Sequence, residues 1–110
     1  MEIYGLDEQD ARRATSGRPY LEFQRSPDLS TGLYVLPAGG GDHQQPHTED
    51  EIYYVIEGTA RILVGADDGP VAAGDVIFVA AGVPHRFHDI VADLRLLVVF
   101  GPAEGSRGDR

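Results

Sequence analysis

Gly74-Asp75-Val76-Ile77-Phe78-Val79-Ala80-Ala81-Gly82-Val83-Pro84-His85-Arg86-Phe87 reads as a strand, a tight turn and the entry to a second strand. The β-branched and aromatic run Asp75–Val79 favours extended backbone, and Gly82 and Pro84 stop it. His85 therefore follows the turn Ala81-Gly82-Val83-Pro84 on a different strand.

The same punctuation continues on both sides. Upstream, Tyr20–Arg25 alternates loosely and is broken by Ser26-Pro27-Asp28, and Thr31–Leu36 is stopped by Pro37 and the run Gly39-Gly40-Gly41. Ile52–Ile56 is bounded by Gly58, and Arg61–Val64 is closed by the turn formers Ala66-Asp67-Asp68-Gly69-Pro70. Downstream, Leu94–Phe100 is apolar enough for burial on both faces. Short strands cut by regular turns predict an all-β sandwich or barrel. One short helix is expected from Asp7 to Arg13, with Asp7 as N-cap and Arg12 and Arg13 in the last turn. Gly17 and Pro19 end it. The chain then divides into an N-terminal segment over 1–18, a β-domain over 19–101, and a tail over 102–110 whose Gly, Pro and charge predict fraying.

Composition narrows the chemistry. The 110 residues fit one domain. Net charge is −9, from 9 basic and 18 acidic side chains, which argues against a nucleic-acid or anionic-membrane partner. Every basic residue is Arg, so lysine Schiff-base chemistry is excluded. Cys is absent, which removes disulfides, thiolate nucleophiles and cysteine-bound zinc. The acidic stretch Asp7–Asp10 is unlike a signal peptide, and no apolar run approaches the ~20 residues of a membrane helix. A soluble cytoplasmic protein is the expectation.

The remaining candidates cluster in Gly39-Gly-Gly-Asp42-His43-Gln44-Gln45-Pro46-His47-Thr48-Glu49-Asp50-Glu51. If this segment is extended, His43, Gln45, His47 and Glu51 share one face. Closing a barrel brings His85 to the same axis. Parity alone leaves two readings: a metal-ligand set, or solvated loop polars on an acidic surface.

From Gly39 to Asp89 the chain resembles the cupin superfamily. Gly39 opens the first cupin motif, Gln45 stands where the family has its first His, His47 at its second, Glu51 at its Glu and Gly58 at its final Gly. In the second motif Gly74, Gly82 and His85 match, Ala80 replaces a Pro and Asp89 replaces an Asn. The resemblance implies an antiparallel double-stranded β-helix, or jelly-roll barrel, with the short helix outside it. It also implies a homodimer and one divalent metal ion per chain, zinc, manganese, iron or nickel, held by Gln45, His47, Glu51 and His85. Such a Gln, His, Glu, His set is similar to the zinc site of phosphomannose isomerases, which are also cupins. His43 is the next candidate ligand, and His88, at the opposite parity to His85, is expected to face outward. Tyr53 and Phe87 are expected to face inward and Ile52 and Tyr54 outward.

These residues lead to a metal-dependent enzyme acting on a small oxygenated substrate, of isomerase, cyclase, lyase or dioxygenase type. Glu51 and Tyr53 are the expected catalytic groups, as proton acceptor and oxyanion donor. The alternative is a non-catalytic cupin that binds a small, sugar-like ligand.

Overall fold

The structure is a computed structural model and describes residues 1–107. It contains helix α1 (Leu6–Ser16) and strands β1 (Tyr20–Ser26), β2 (Leu29–Leu36), β3 (Asp50–Val64), β4 (Asp67–Ala72), β5 (Val76–Val79) and β6 (His85–Gly101). The strands pair antiparallel in the order β1-β2-β6-β3-β4, and β5 pairs with the first half of β3. The architecture is the expected all-β one with a short N-terminal helix.

Two strands carry most of the sheet. β3 and β6 pair from Asp50 opposite Gly101 to Val64 opposite His85. The sequence reading split β3 at Gly58; the structure instead keeps one strand and shifts its register around that glycine. Gly58 has φ +101°, and a Cβ there would sit 2.3 Å from the Asp93 carbonyl oxygen. Only glycine meets both conditions. The irregularity switches which parity faces inward: Glu51, Tyr53 and Val55 are buried before it, and Ala60 and Ile62 after it. β6 makes the same switch at Asp89, from His85 and Phe87 to Ile90, Leu94, Leu96, Val98 and Phe100. Asp89 has φ +47°, a conformation Asp and Asn tolerate, so the residue type at this position follows from backbone geometry.

Three further expectations are revised. The helix runs from Leu6 to Ser16, with Gly5 at the N-cap and Asp7 in the first turn. The stretch Ala66–Pro70 is not one turn: Gly65 and Ala66 make a tight hairpin loop, and β4 begins at Asp67. Pro70 fits there because β4 is an edge strand with no outer partner to serve. Leu94–Phe100 alternates between a buried face and a half-buried one, rather than being buried on both.

The core is one cluster containing Leu36, Tyr53, Val55, Phe87, Leu94, Leu96, Val98 and Phe100. Ile52 and Tyr54 point the other way, as expected, and are exposed. The segment after β6 does not hang free. Ala103 is buried, the Glu104 amide donates to Ser30 Oγ, and the Gly105 and Arg107 amides donate to the two oxygens of Glu49. The last three residues, 108–110, lie outside the described residues.

Candidate metal centre

The site forms inside the barrel, where side chains from the start of β3 and the start of β6 converge although those two ends are not paired with each other. Glu51 and Tyr53 come from β3, His85 from β6, and His47 from the loop before β3. Glu51 Oε1 lies 3.0 Å from His85 Nε2 and 3.9 Å from His47 Nε2. The ligand atoms of His47, Glu51 and His85 all fall within 4.8 Å of one another. Two metal–ligand bonds of ~2.0–2.2 Å span the two Glu51 distances.

The loop places the neighbouring glutamines differently from the parity reading. Residues 37–49 are not a strand, so alternation does not carry through them. Gln45 is exposed, whereas Gln44 turns inward. Its Oε1 lies 3.1 Å from His47 Nε2 and 3.0 Å from the Tyr53 hydroxyl. Asp42 aims it: the Gln44 amide nitrogen donates to Asp42 Oδ2 at 2.6 Å, which fixes the oxygen toward the site. Asp42 is itself buried, and accepts the Tyr34 hydroxyl at 2.6 Å and the Phe87 amide at 2.9 Å. His43 is exposed and lines the outer cavity. His88 is held on the exterior, 2.8 Å from Asp68 and 3.2 Å from Asp89.

Each imidazole is oriented through its other nitrogen. His85 Nδ1 faces the Val83 carbonyl at 2.9 Å, and His47 Nδ1 faces Glu104 Oε2 at 3.4 Å. His85 Nδ1–H donates to the Val83 carbonyl, which leaves its Nε2 turned to the centre as an acceptor, whereas His47 Nε2 bonds an amide oxygen and so carries the proton in that hydrogen bond. Gln44 Oε1 and Glu51 Oε1 are acceptors as well. The Tyr53 hydroxyl, 3.0 Å from both Gln44 Oε1 and His85 Nε2, supplies a single proton. Glu51 Oε1 is buried without any hydrogen-bond partner. The protons of His47 Nε2 and Tyr53 serve Gln44 Oε1 and His85 Nε2, and Glu51 Oε1 is left without a partner unless a cation or a further proton sits beside it.

Titration behaviour follows this crowding. Burial drives His47 below the ordinary histidine range, only partly offset by the Glu51 charge. Burial acts on His85 in the same direction, but the Glu51 contact, the Val83 carbonyl and the charges of Glu51 and Asp42 outweigh it and raise its pKa. Burial, and then the Glu51 charge, push the Tyr53 hydroxyl far up, so it stays protonated. Burial, followed by repulsion from Glu22, Glu51 and Glu49, raises Glu104.

The donor set is neutral nitrogen plus carboxylate and amide oxygen, with no sulfur, and it fits a divalent cation such as zinc, manganese, iron or nickel. Sequence reasoning brought His47, Glu51, Tyr53 and His85 together and missed Asp42, Gln44 and Glu104. No local signal marks Glu104, whose position depends on the hydrogen bonds of the segment after β6. Asp42 and Gln44 sit in the quoted stretch but at the parity set aside.

Comparison with known proteins agrees with this picture. The model of the cupin domain family matches residues 32–100. An uncharacterized protein of Streptomyces coelicolor is 50% identical over 104 residues, covering 94% of this chain and 99% of that one. Among solved structures, TT1209 from Thermus thermophilus has a TM-score of 0.71 at 30% identity, over 94% of this chain and 99% of its own. An RmlC-like cupin from Shewanella frigidimarina superposes with a TM-score of 0.67 at 22% identity, over 76% of this chain and 75% of that one, a likeness of fold alone. Matched over more than half its length by the family model, and carrying the barrel and the His and Glu cluster described above, the chain belongs to the cupin domain family.

Proposed function

We propose that this cupin is a metal-dependent enzyme acting on a small oxygenated molecule, with one divalent ion held by His47, Glu51 and His85 and the amide oxygen of Gln44 as a fourth donor. The observation that carries the reading is the convergence of His47, Glu51 and His85 ligand atoms within 4.8 Å of one another, with Glu51 Oε1 buried and unpartnered among them. When bound, such an ion supplies Lewis acidity or a redox centre.

The chain's own residues supply the rest. Tyr53 keeps its proton and donates it to a developing negative charge. Glu51 neutralises the site and accepts a proton from the substrate or from water. Asp42 holds the Gln44 amide in orientation, Glu104 and the Val83 carbonyl hold the two imidazoles, and Phe100 packs edge-on against the His47 ring at 4.8 Å. Homodimerisation belongs to the same proposal. Ile52 pairs with Phe78 and Tyr54 with Val76, and all four are exposed as one apolar patch on the outer face of the sheet. A two-fold partner covers such a patch.

Metal reconstitution followed by elemental analysis tests the site, and about one ion per chain is expected. A screen of small sugars, hydroxy acids and enolisable ketones, with an oxygen electrode, tests the activity. Metal-dependent turnover supports the enzyme. A ligand bound and released unchanged makes the protein a ligand-binding cupin instead. Absence of a stoichiometric ion after reconstitution overturns the metal reading.

A further inference from the structure

Above the metal centre lies a cavity of about 470 Å³, the size that holds a small organic molecule. Its floor is His47 and Glu51. Its walls include Val35, Leu36, Pro37, Val98, Phe100 and the ring of Tyr34. The acidic groups it meets are Glu51 at the floor and Glu104 at the side, and its basic groups are the imidazoles of His47 and, exposed, of His43. Among the described residues no arginine lines it, and the chain has no lysine. Arg18 and Arg25 line a separate surface depression that shares Tyr20 and Glu104 with the cavity. Arg25 is already engaged, with Nη1 2.9 Å from Glu22 and Nη2 3.0 Å from the Glu104 carbonyl.

We infer that the molecule this cavity accepts is uncharged and mostly apolar, with one neutral oxygen-bearing head that reaches the metal and a hydrocarbon body against the Val98–Phe100 wall; phosphorylated and polycarboxylate compounds are excluded. The inference rests on the metal reading for the head and on the cavity alone for the body. A phosphate or second carboxylate needs a permanent cation or several N–H partners, and beyond the exposed imidazole of His43 the walls offer no guanidinium or ammonium group. Desolvating such an anion beside Glu104, with nothing to pair it, is unfavourable. An alkyl or aryl body, in contrast, gains from every methylene it buries there.

The test uses a series of straight-chain hydroxamic acids, from acetohydroxamic to hexanohydroxamic acid, titrated into the metal-loaded protein by calorimetry. Phosphoglycolate serves as the anionic comparison. Each added methylene is expected to tighten binding about fourfold until the cavity is filled. Phosphoglycolate is expected to bind more weakly than hexanohydroxamic acid. Val35→Trp, which narrows the cavity at a half-buried wall, abolishes the chain-length gain, whereas Val91→Ser, at an exposed position of β6, leaves it unchanged; circular dichroism checks that both variants fold. Affinity independent of chain length, phosphoglycolate as the tightest binder, or a gain abolished by Val91→Ser and not by Val35→Trp overturns the inference. If no metal can be loaded, straight-chain primary alcohols on the metal-free protein, followed by NMR, decide it alone. A chain-length gain there supports the inference while the metal reading falls, and a flat series overturns it.

Discussion

The carboxylate of Glu104 lies 3.4 Å from Nδ1 of His47, although His47 belongs to the loop before β3 and Glu104 to the segment after β6. The Glu104 amide is fixed on Ser30 Oγ, and Glu49 receives the next two amides that bond to it, those of Gly105 and Arg107. The segment after β6 is therefore part of the scaffold that orients a metal ligand. Glu104→Ala should weaken metal binding by about 10–100-fold, the usual effect of removing a carboxylate behind a ligating histidine. Competition with a chromogenic chelator measures it, and the apo fold should be unchanged by circular dichroism.

The two adjacent glutamines should separate cleanly. Gln44→Ala removes the inward oxygen near His47 and Tyr53 and should weaken metal binding, while Gln45→Ala, at an exposed position, should not. His47→Ala and His85→Ala should each lose most of the ion, because each deletes an imidazole from a small donor set. Elemental analysis of the four variants, reconstituted side by side, checks all of this. A loss in Gln45→Ala equal to that in Gln44→Ala would show that the loop rearranges when the ion binds.

Glu49 gives a stability prediction that does not need the metal. Burial tends to raise its carboxyl pKa, but the Thr48 hydroxyl and the Gly105 and Arg107 amides outweigh that and hold it below its ordinary value of 4.5. Its ionised form is thus favoured by folding. That stabilisation is fully present above the ordinary value and is lost as the pH falls through the folded one. Glu49→Ala should cost about 1–2 kcal/mol at neutral pH, since it leaves two amides without their charged acceptor. Urea unfolding should show the gap between variant and parent shrinking in acid.

The exposed apolar patch supplies a test of assembly. Phe78→Glu places a charge opposite Ile52, at the centre of the patch formed with Tyr54 and Val76. Light scattering should find a dimer for the parent and a monomer for the variant. A monomeric parent at micromolar concentration would refute the homodimer.

What the sequence made legible was whatever repeats with period two inside a strand. Glu51, Tyr53 and Val55 fall on the inner face because β3 alternates there, and His85 and Phe87 do so on β6. Gln45 faces solvent because the period of two does not extend into residues 37–49, where the backbone is irregular and Asp42 turns Gln44 inward instead. Gly58 reads as a strand boundary in one dimension, and only its approach to Asp93 reveals a register shift. The contacts of Glu49, Ser30 and Glu104 join residues far apart in the chain and leave no local pattern. Composition read the segment after Gly101 as loose because it scores side chains, whereas that segment is held largely through its backbone amides.

β6 is synthesised last among the strands, yet it lies between β2 and β3. Before the ribosome begins it, the nascent chain has two strands with open edges and no common neighbour, and it lacks His85. Cotranslational folding therefore cannot proceed outward from an early nucleus containing the finished site; the decisive pairing waits for nearly the whole domain to emerge. A product terminated before Phe100 would expose both edges together with the apolar faces of β2 and β3, making it a substrate for chaperones and proteases rather than a weakened version of the protein.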